Sequence, residues 1–177
     1  QKHKVLACAK HFPGHGDTQT DSHAELPLLK HDRSRFDSLE LVPFNALIKN
    51  GIYGVMTAHL EIPKLDSVKG RPSSLSPRMV NDLLKMQLGF SGLVITDAMN
   101  MKGVKVAGKP GRVDALALIA GNDVVEASEN IGLAIDEIKL AIQNGEMTWE
   151  SIDTKCRRVL AMKYVLGATR YSPVSKE

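Results

Sequence analysis

Four short apolar runs, each ending in polar or ionisable residues, mark out the chain at residues 5–11, 51–59, 92–97 and 122–126. Runs of this length without polar alternation suit strands buried on both faces, as in parallel sheets. Between them the apolar positions change to a helical period. Phe36, Leu39, Leu47 and Ile48 follow that period within residues 32–50, and Pro43 breaks it, so a fresh helix is expected at Pro43. Ser76-Pro77 reads as a helix opening, with Ser as N-cap and Pro at the first helical position. That helix carries Met79, Val80, Leu83 and Leu84 and closes at Gly89. A short helix is expected over 112–120. Two amphipathic helices follow the last run. The first, 130–144, places Ile131, Ala134, Ile135, Ile138 and Ile142 on one face and stops at Gly145. The second is capped by Thr148, lines its apolar side with Ile152, Val159, Leu160 and Val165, and ends at Gly167.

Strand alternating with helix predicts an α/β protein made of (βα) units of a TIM-type barrel. About four of the eight strands such a barrel needs are present, so a partial barrel is expected, with two C-terminal helices added. A doubly wound open sheet ranks second, because its Gly-x-Gly-x-x-Gly turn is absent. The expected domain covers residues 1–167, and 168–177 form a polar tail or linker. Gln1 leads almost at once into an apolar strand, without a signal segment, so the chain is expected to be a piece of a longer one. Localisation cannot then be read. A half-barrel leaves strand edges and an apolar face, so self-association or pairing with the missing barrel half is expected.

Composition narrows the partners. A net charge of +3 with scattered basic residues gives no footprint for nucleic acid. No apolar stretch approaches the roughly 18 residues of a membrane segment. Cys8 and Cys156 fit neither a zinc nor a disulfide pattern, and Cys8, inside an apolar run, is expected to be a small buried hydrophobe.

In a barrel, reactive groups stand at the C-terminal ends of strands. Those ends offer Lys10 and His11, then His59, then Asp97, then Glu126. The fourteen residues from Lys10 to His23 hold one Lys, three His and two Asp, a density that solubility alone does not require. Pro13, Gly14 and Gly16 bar a regular helix there and suit close approach of backbone to a ligand. Three chemistries compete on these residues. His11, His15 and His23 with a carboxylate could hold a metal, although Pro13 and Gly14 remove the helix that would align them. Lys10 could form a Schiff base if burial lowered its pKa. An acid on the loop and a carboxylate on another strand could cleave a glycosidic bond.

The stretch Lys10-His11-Phe12-Pro13-Gly14-His15-Gly16, followed by Asp21-Ser22-His23, resembles the signature of family 3 β-N-acetylglucosaminidases. Residues 93–101, around Asp97, resemble the strand that carries their nucleophile; Leu41-Val42-Pro43-Phe44 and Ala120-Gly121-Asn122-Asp123 also fit. The resemblance runs from Val5 to about Gly167 and implies the C-terminal half of the catalytic barrel. It implies that Asp97 is the nucleophile and His23 the acid/base, with Asp21 holding the imidazole. Lys10 and His11 would bind sugar hydroxyls, His15 would shape the loop, and Met99 would line the substrate pocket. His59 is expected to be a hydrogen-bonding support, Glu126 a rim residue, Asp123 a shaper of the last strand, and His3 and His31 surface residues. The implied substrate is a carbohydrate ending in β-linked N-acetylglucosamine, as in muropeptides or chitin fragments, with no metal and no cofactor. Activity is expected to need the other barrel half. Phosphate as acceptor in place of water, and a non-catalytic glycan- or protein-binding module, are the alternatives.

Overall fold

The computed structural model describes residues 1, 3, 5–18 and 25–168. Asp21, His23 and most of the expected tail lie outside the described residues. Three parallel strands, β1 (Cys8–Phe12), β2 (Gly54–Thr57) and β3 (Leu93–Thr96), lie side by side in chain order. β2 and β3 pair in register from Gly54↔Leu93 to Thr57↔Thr96, whereas the β1–β2 register shifts between Ala9 and Phe12. Ala9, Val55 and Val94 therefore share one face, and helices cover it.

The first helical region runs from α1 (Arg33–Arg35) through a wide-turned π-type segment, Phe36–Glu40, into α2 (Leu41–Lys49). A fresh helix at Pro43 was the expectation; instead the helix continues through Pro43. Proline lacks an N–H and its ring crowds the carbonyl four residues back, and the wide turn just before α2 makes room for both. The helix Arg78–Gln87 follows Ser76-Pro77 as expected, with the Ser76 Oγ accepting the Met79 N–H at 3.3 Å. After α3 (Lys102–Lys105), α4 (Arg112–Ala120) matches its expected span. α5 (Ile131–Gln143) is capped by Asn130 and α6 (Trp149–Val165) by Thr148, each side chain accepting a backbone N–H of the first turn.

The main core lies between the sheet and these first helices. Phe12, Phe36, Leu41, Leu60, Val80, Leu84 and Val94 are buried there, and Phe12 meets Phe44 edge-to-face at 5.3 Å. A smaller cluster gathers Leu75, Met99, Val104, Val113 and Ala117 under α4.

Three expectations need correction. The fourth strand, 122–126, is reduced to a single parallel bridge, Ile95↔Val124. Backbone bonds make that bridge, from the Val124 N–H to the Val94 carbonyl and from the Thr96 N–H to the Val124 carbonyl, both at 3.1 Å. Side chains take over on either side of it: the Asp123 carboxylate accepts the Val94 N–H at 3.0 Å, and Thr96 Oγ1 accepts the Glu126 N–H at 3.0 Å. Cys8 is exposed, because it shares with Lys10 the sheet face opposite the one that packs on the core. On α5 only Ala134 and Ala141 are buried, while Ile131 and Ile135 are exposed; α6 buries no residue fully. Their apolar sides are real, but among the described residues α5 packs chiefly on α4, and α6 touches the edge at β3.

Behind β3, Asn122 is fully buried and uses its whole side-chain amide. Its Oδ1 accepts from Thr57 Oγ1 at 2.9 Å, and its Nδ2 donates to the carbonyls of Ser74 and Ala117, both at 2.7 Å. Gly121 leads into it with φ +117°, and any side chain there would overlap Asn81. Losing one buried hydrogen-bonding group costs about 1–3 kcal/mol, so Asn122→Ala should lower stability by about 2–4 kcal/mol in urea unfolding. Asn122→Asp should be at least as damaging, since a carboxylate would face two carbonyl oxygens. A loss below about 0.5 kcal/mol in both variants would show that the amide holds nothing together.

Candidate active site

Parallel strands bring their C-terminal ends to one side of the sheet, and the ionisable residues collect there. Asp97 follows β3 directly. Its N–H donates to the Thr57 carbonyl at 2.9 Å, extending the β2–β3 ladder by one bond, and its Oδ1 accepts the Ala98 N–H at 2.9 Å. One carboxylate oxygen is thus anchored. The other, Oδ2, stands 3.6 Å from His11 Nε2, and the two side chains are 20% and 30% exposed. The His11 and His15 rings meet edge-on, with centroids 5.8 Å apart, and Thr18 Oγ1 donates to the His15 carbonyl at 3.1 Å. Lys10 is exposed on the same face of β1 as Cys8.

A cavity of about 740 Å³ joins these groups; Lys10, His11, His15 and Asp97 line it, together with Asp17, Arg35 and Glu40. Lys10, His11, His15 and Asp97 therefore border one cavity. Asp21 and His23 lie outside the described residues. Met99 does not join them: it is 1% exposed and packs with Leu75, Val104, Val113 and Ala117, so its side chain belongs to the core and not to a substrate wall. Among the described residues no group of three or more His, Cys, Asp or Glu side chains is placed to hold a metal ion. Three pocket residues were not singled out from the sequence. Asp17 was within reach, because it lies in the dense stretch after β1. Glu40 adjoins the Leu41-Val42-Pro43-Phe44 motif, and nothing marks Arg35.

His59 lies beneath the site and is fully buried. Its Nε2 is 3.2 Å from the Ala98 carbonyl and its Nδ1 2.7 Å from Ser74 Oγ. A carbonyl can only accept, so the hydrogen-bond pattern assigns the proton to Nε2 and makes Nδ1 the acceptor of the Ser74 hydroxyl. Burial holds the imidazole below its ordinary pKa, outweighing the upward pull of the Ala98 carbonyl and the Asp97 charge. His59 is thus a neutral strut under the residues that carry Asp97. Glu126 contributes through its backbone, its carbonyl accepting the Met99 N–H at 2.9 Å and so shaping the turn after Asp97.

At the opposite end of the sheet Asp123 plays a different part. Its buried carboxylate faces Arg158 at 2.8 Å and Lys85 at 3.7 Å, while Lys155 donates to the Asn122 carbonyl at 2.8 Å. Burial lowers the Lys155 pKa to about 8, with the Lys85 charge acting the same way. This cluster ties α6 and the helix Arg78–Gln87 to the start of the last parallel segment.

The lowered His59 pKa fixes a sign. Below about 6.5 the unfolded chain binds a proton that the native imidazole refuses, so the stability from this residue is complete above about 6.5 and is lost as pH falls through the lowered native value. His59→Gln should cost about 1–3 kcal/mol at pH 7.5 and should show a shallower loss of stability between pH 7 and 5 than the wild type. Equal declines in urea titrations of the two proteins would count against the neutral-strut assignment.

Comparison with known proteins agrees on one family. The model of the glycosyl hydrolase family 3 N terminal domain matches residues 1–162. Beta-hexosaminidase A of Pseudoalteromonas piscicida is 38% identical over 130 residues, covering 68% of this chain and 22% of that protein. A beta-hexosaminidase of Hydrogenovibrio crunogenus is 37% identical over 148 residues, covering 83% of this chain and 39% of that protein. The solved structure of a glycoside hydrolase family 3 beta-N-acetylglucosaminidase from a Paenibacillus species superposes with a TM-score of 0.91 at 37% identity, covering 98% of this chain and 34% of that one. The chain therefore spans between 22% and 39% of the length of these relatives.

Proposed function

Because the chain belongs to glycoside hydrolase family 3, we propose that its site cleaves a terminal β-linked N-acetylglucosaminide with retention of configuration, Asp97 acting as nucleophile. The TIM-type α/β fold of that family sets the frame. Residues 1–167 are read as part of the barrel wall whose strand ends carry the chemistry. The observation that carries the reading is the Asp97 carboxylate: one oxygen tied to the Ala98 N–H, the other turned to His11 at the cavity that Lys10 also lines.

In the first step Asp97 Oδ2 attacks the anomeric carbon. A carbon–oxygen bond to the enzyme forms as the bond to the leaving oxygen breaks, and His23 gives that oxygen its proton. In the second step His23 takes a proton from water as the water oxygen displaces Asp97, which leaves with its electron pair. An imidazole suits both halves near neutrality, and Asp21, two residues away, is assigned to orient the ring and stabilise its charged form. Lys10 and His11 hold sugar hydroxyls, and His15 shapes the loop that presents them. The beta-hexosaminidase and beta-N-acetylglucosaminidase names of the relatives support this substrate class.

The test is hydrolysis of 4-nitrophenyl N-acetyl-β-glucosaminide by the polypeptide as its gene encodes it. Asp97→Ala should lower kcat by about 10⁴-fold or more, and His23→Ala by roughly 10²–10⁴-fold. Azide separates the roles. It should give the α-glycosyl azide with Asp97→Ala, by direct attack on the β-linked substrate, and the β-glycosyl azide with His23→Ala, by attack on the covalent intermediate. Activity equal to the parent in either variant overturns that residue's assignment.

A further inference from the structure

The loop after β1 is fastened to the first helical region at two levels. Closest in, Gly14 lies directly on Glu40: its φ is +135°, and a Cβ there would stand 2.7 Å from the Glu40 Cβ. The Glu40 side chain is only 7% exposed; its Oε1 accepts from Arg35 Nε at 3.1 Å, while its Oε2 is buried with no hydrogen-bond partner among the described residues. Further out, Asp17 Oδ2 accepts from His31 Nε2 at 2.7 Å and from Arg35 Nη2 at 3.4 Å. One guanidinium thus spans from a buried carboxylate on the helix to a carboxylate on the loop, and Phe36, the next residue, is fully buried in the core. Asp17, Arg35 and Glu40 border the same cavity as Asp97 and His11.

We propose that Arg35, bridging Glu40 to Asp17 with His31 as a second hook, is a positioning residue that fixes the loop against the Asp97 carboxylate. The proposal rests on the reading of Asp97 and His23 given above. Asp17 stands four residues before Asp21 and six before His23, and six residues reach at most about 20 Å when extended. A fixed Asp17 therefore limits where the acid/base can stand. The two links differ in strength. Asp17 is half exposed, and an ion pair in water contributes little, so its loss should scarcely change global stability. The Glu40 side chain is almost fully covered, and removing its cation would leave its carboxylate poorly solvated and unpaired. Arginine suits the bridge because its planar fork directs two N–H groups to separate acceptors, which a lysine ammonium on one point of attachment does less well.

Asp17→Ala tests the loop link without touching the core, and Arg35→Lys tests the fork while keeping the charge. With 4-nitrophenyl N-acetyl-β-glucosaminide, Asp17→Ala should lower kcat by roughly 10–100-fold, the scale expected when a reacting group is displaced by about 1 Å. KM should change by less than about 3-fold and the melting temperature little, while Arg35→Lys should fall between wild type and Asp17→Ala. Asp37→Asn, which removes the neighbouring exposed pair with Arg33, should leave kcat unchanged. Hydrogen exchange provides a readout that needs no turnover: amides of residues 14–18 should exchange faster in Asp17→Ala and those of α2 should not. Unchanged exchange in that stretch, or an unchanged kcat where Asp97→Ala is dead, overturns the clasp alone. A parent without glycosidase activity overturns the functional reading, and the exchange result then decides whether the clasp exists.

Discussion

The buried amide of Asn122 begins a circuit of hydrogen bonds that closes on Asp97. From Asn122 one branch runs through Ser74 to His59, from His59 to the Ala98 carbonyl, and from the Ala98 N–H to Asp97 Oδ1. The other runs through the Thr57 hydroxyl to β2, whose last carbonyl receives the Asp97 N–H. Asn122, Thr57, Ser74 and His59 are buried, and an unpaired polar group in such surroundings is expensive, so this part of the circuit is stable only as a closed set. The consequence for the site is geometric. The backbone of Asp97 is held by the sheet and one of its carboxylate oxygens by the adjoining turn, leaving the remaining oxygen to face His11 and the cavity.

What the sequence reveals most readily is whatever rests on local pattern. Apolar runs ended by Lys10, Asp97 and their neighbours place the strands and their chemical ends. Asn130 and Thr148 announce the starts of α5 and α6, and Gly145 and Gly167 follow their ends. What it conceals depends on side chains replacing backbone partners. Asp123 and Thr96 substitute for ladder groups, so an apolar run that looks like a fourth strand keeps one bridge. Periodicity also identifies a side that could be buried without saying what buries it, which is why Ile131, Ile135 and Leu160 are exposed despite a sound amphipathic pattern. Cys8 and Met99 exchange their expected surroundings for a related reason. Each sits among apolar neighbours in sequence, but the side of the sheet or turn it occupies is set by packing. Arg35 carries no signal, because its importance lies in two acceptors that are distant or unremarkable in sequence.

The residues that were legible as chemistry and those found only in the structure divide the work at the site. Asp97 follows a strand held in register by its ladder, and Lys10 and His11 sit at the register shift of β1, between its ladder partners Ala9 and Phe12. Asp17 stands on a loop that has no ladder, so its place must come from side-chain links. Gly14 permits the loop to lie against Glu40, and Arg35 ties the two levels together. Precision by backbone on one side and by an ion-paired fork on the other is a physical asymmetry. Errors in the loop can arise without any disturbance of the sheet.

The two carboxylates at opposite ends of β3 show how surroundings assign roles to one residue type. Asp123 has no exposed side-chain surface; it accepts the Val94 N–H and faces Arg158 and Lys85, so its lone pairs are directed to fixed protein donors. Asp97 has a fifth of its side chain exposed, one fixed backbone donor, and a histidine at a distance too long for a direct hydrogen bond. A carboxylate saturated by cations and N–H groups is poor at attacking carbon, because its lone pairs are committed before a substrate arrives. One held by a single anchor keeps an oxygen available while its orientation is set. The Asp123 carboxylate, with its lone pairs committed, serves the stability of the fold, and the Asp97 carboxylate keeps one oxygen turned to the cavity.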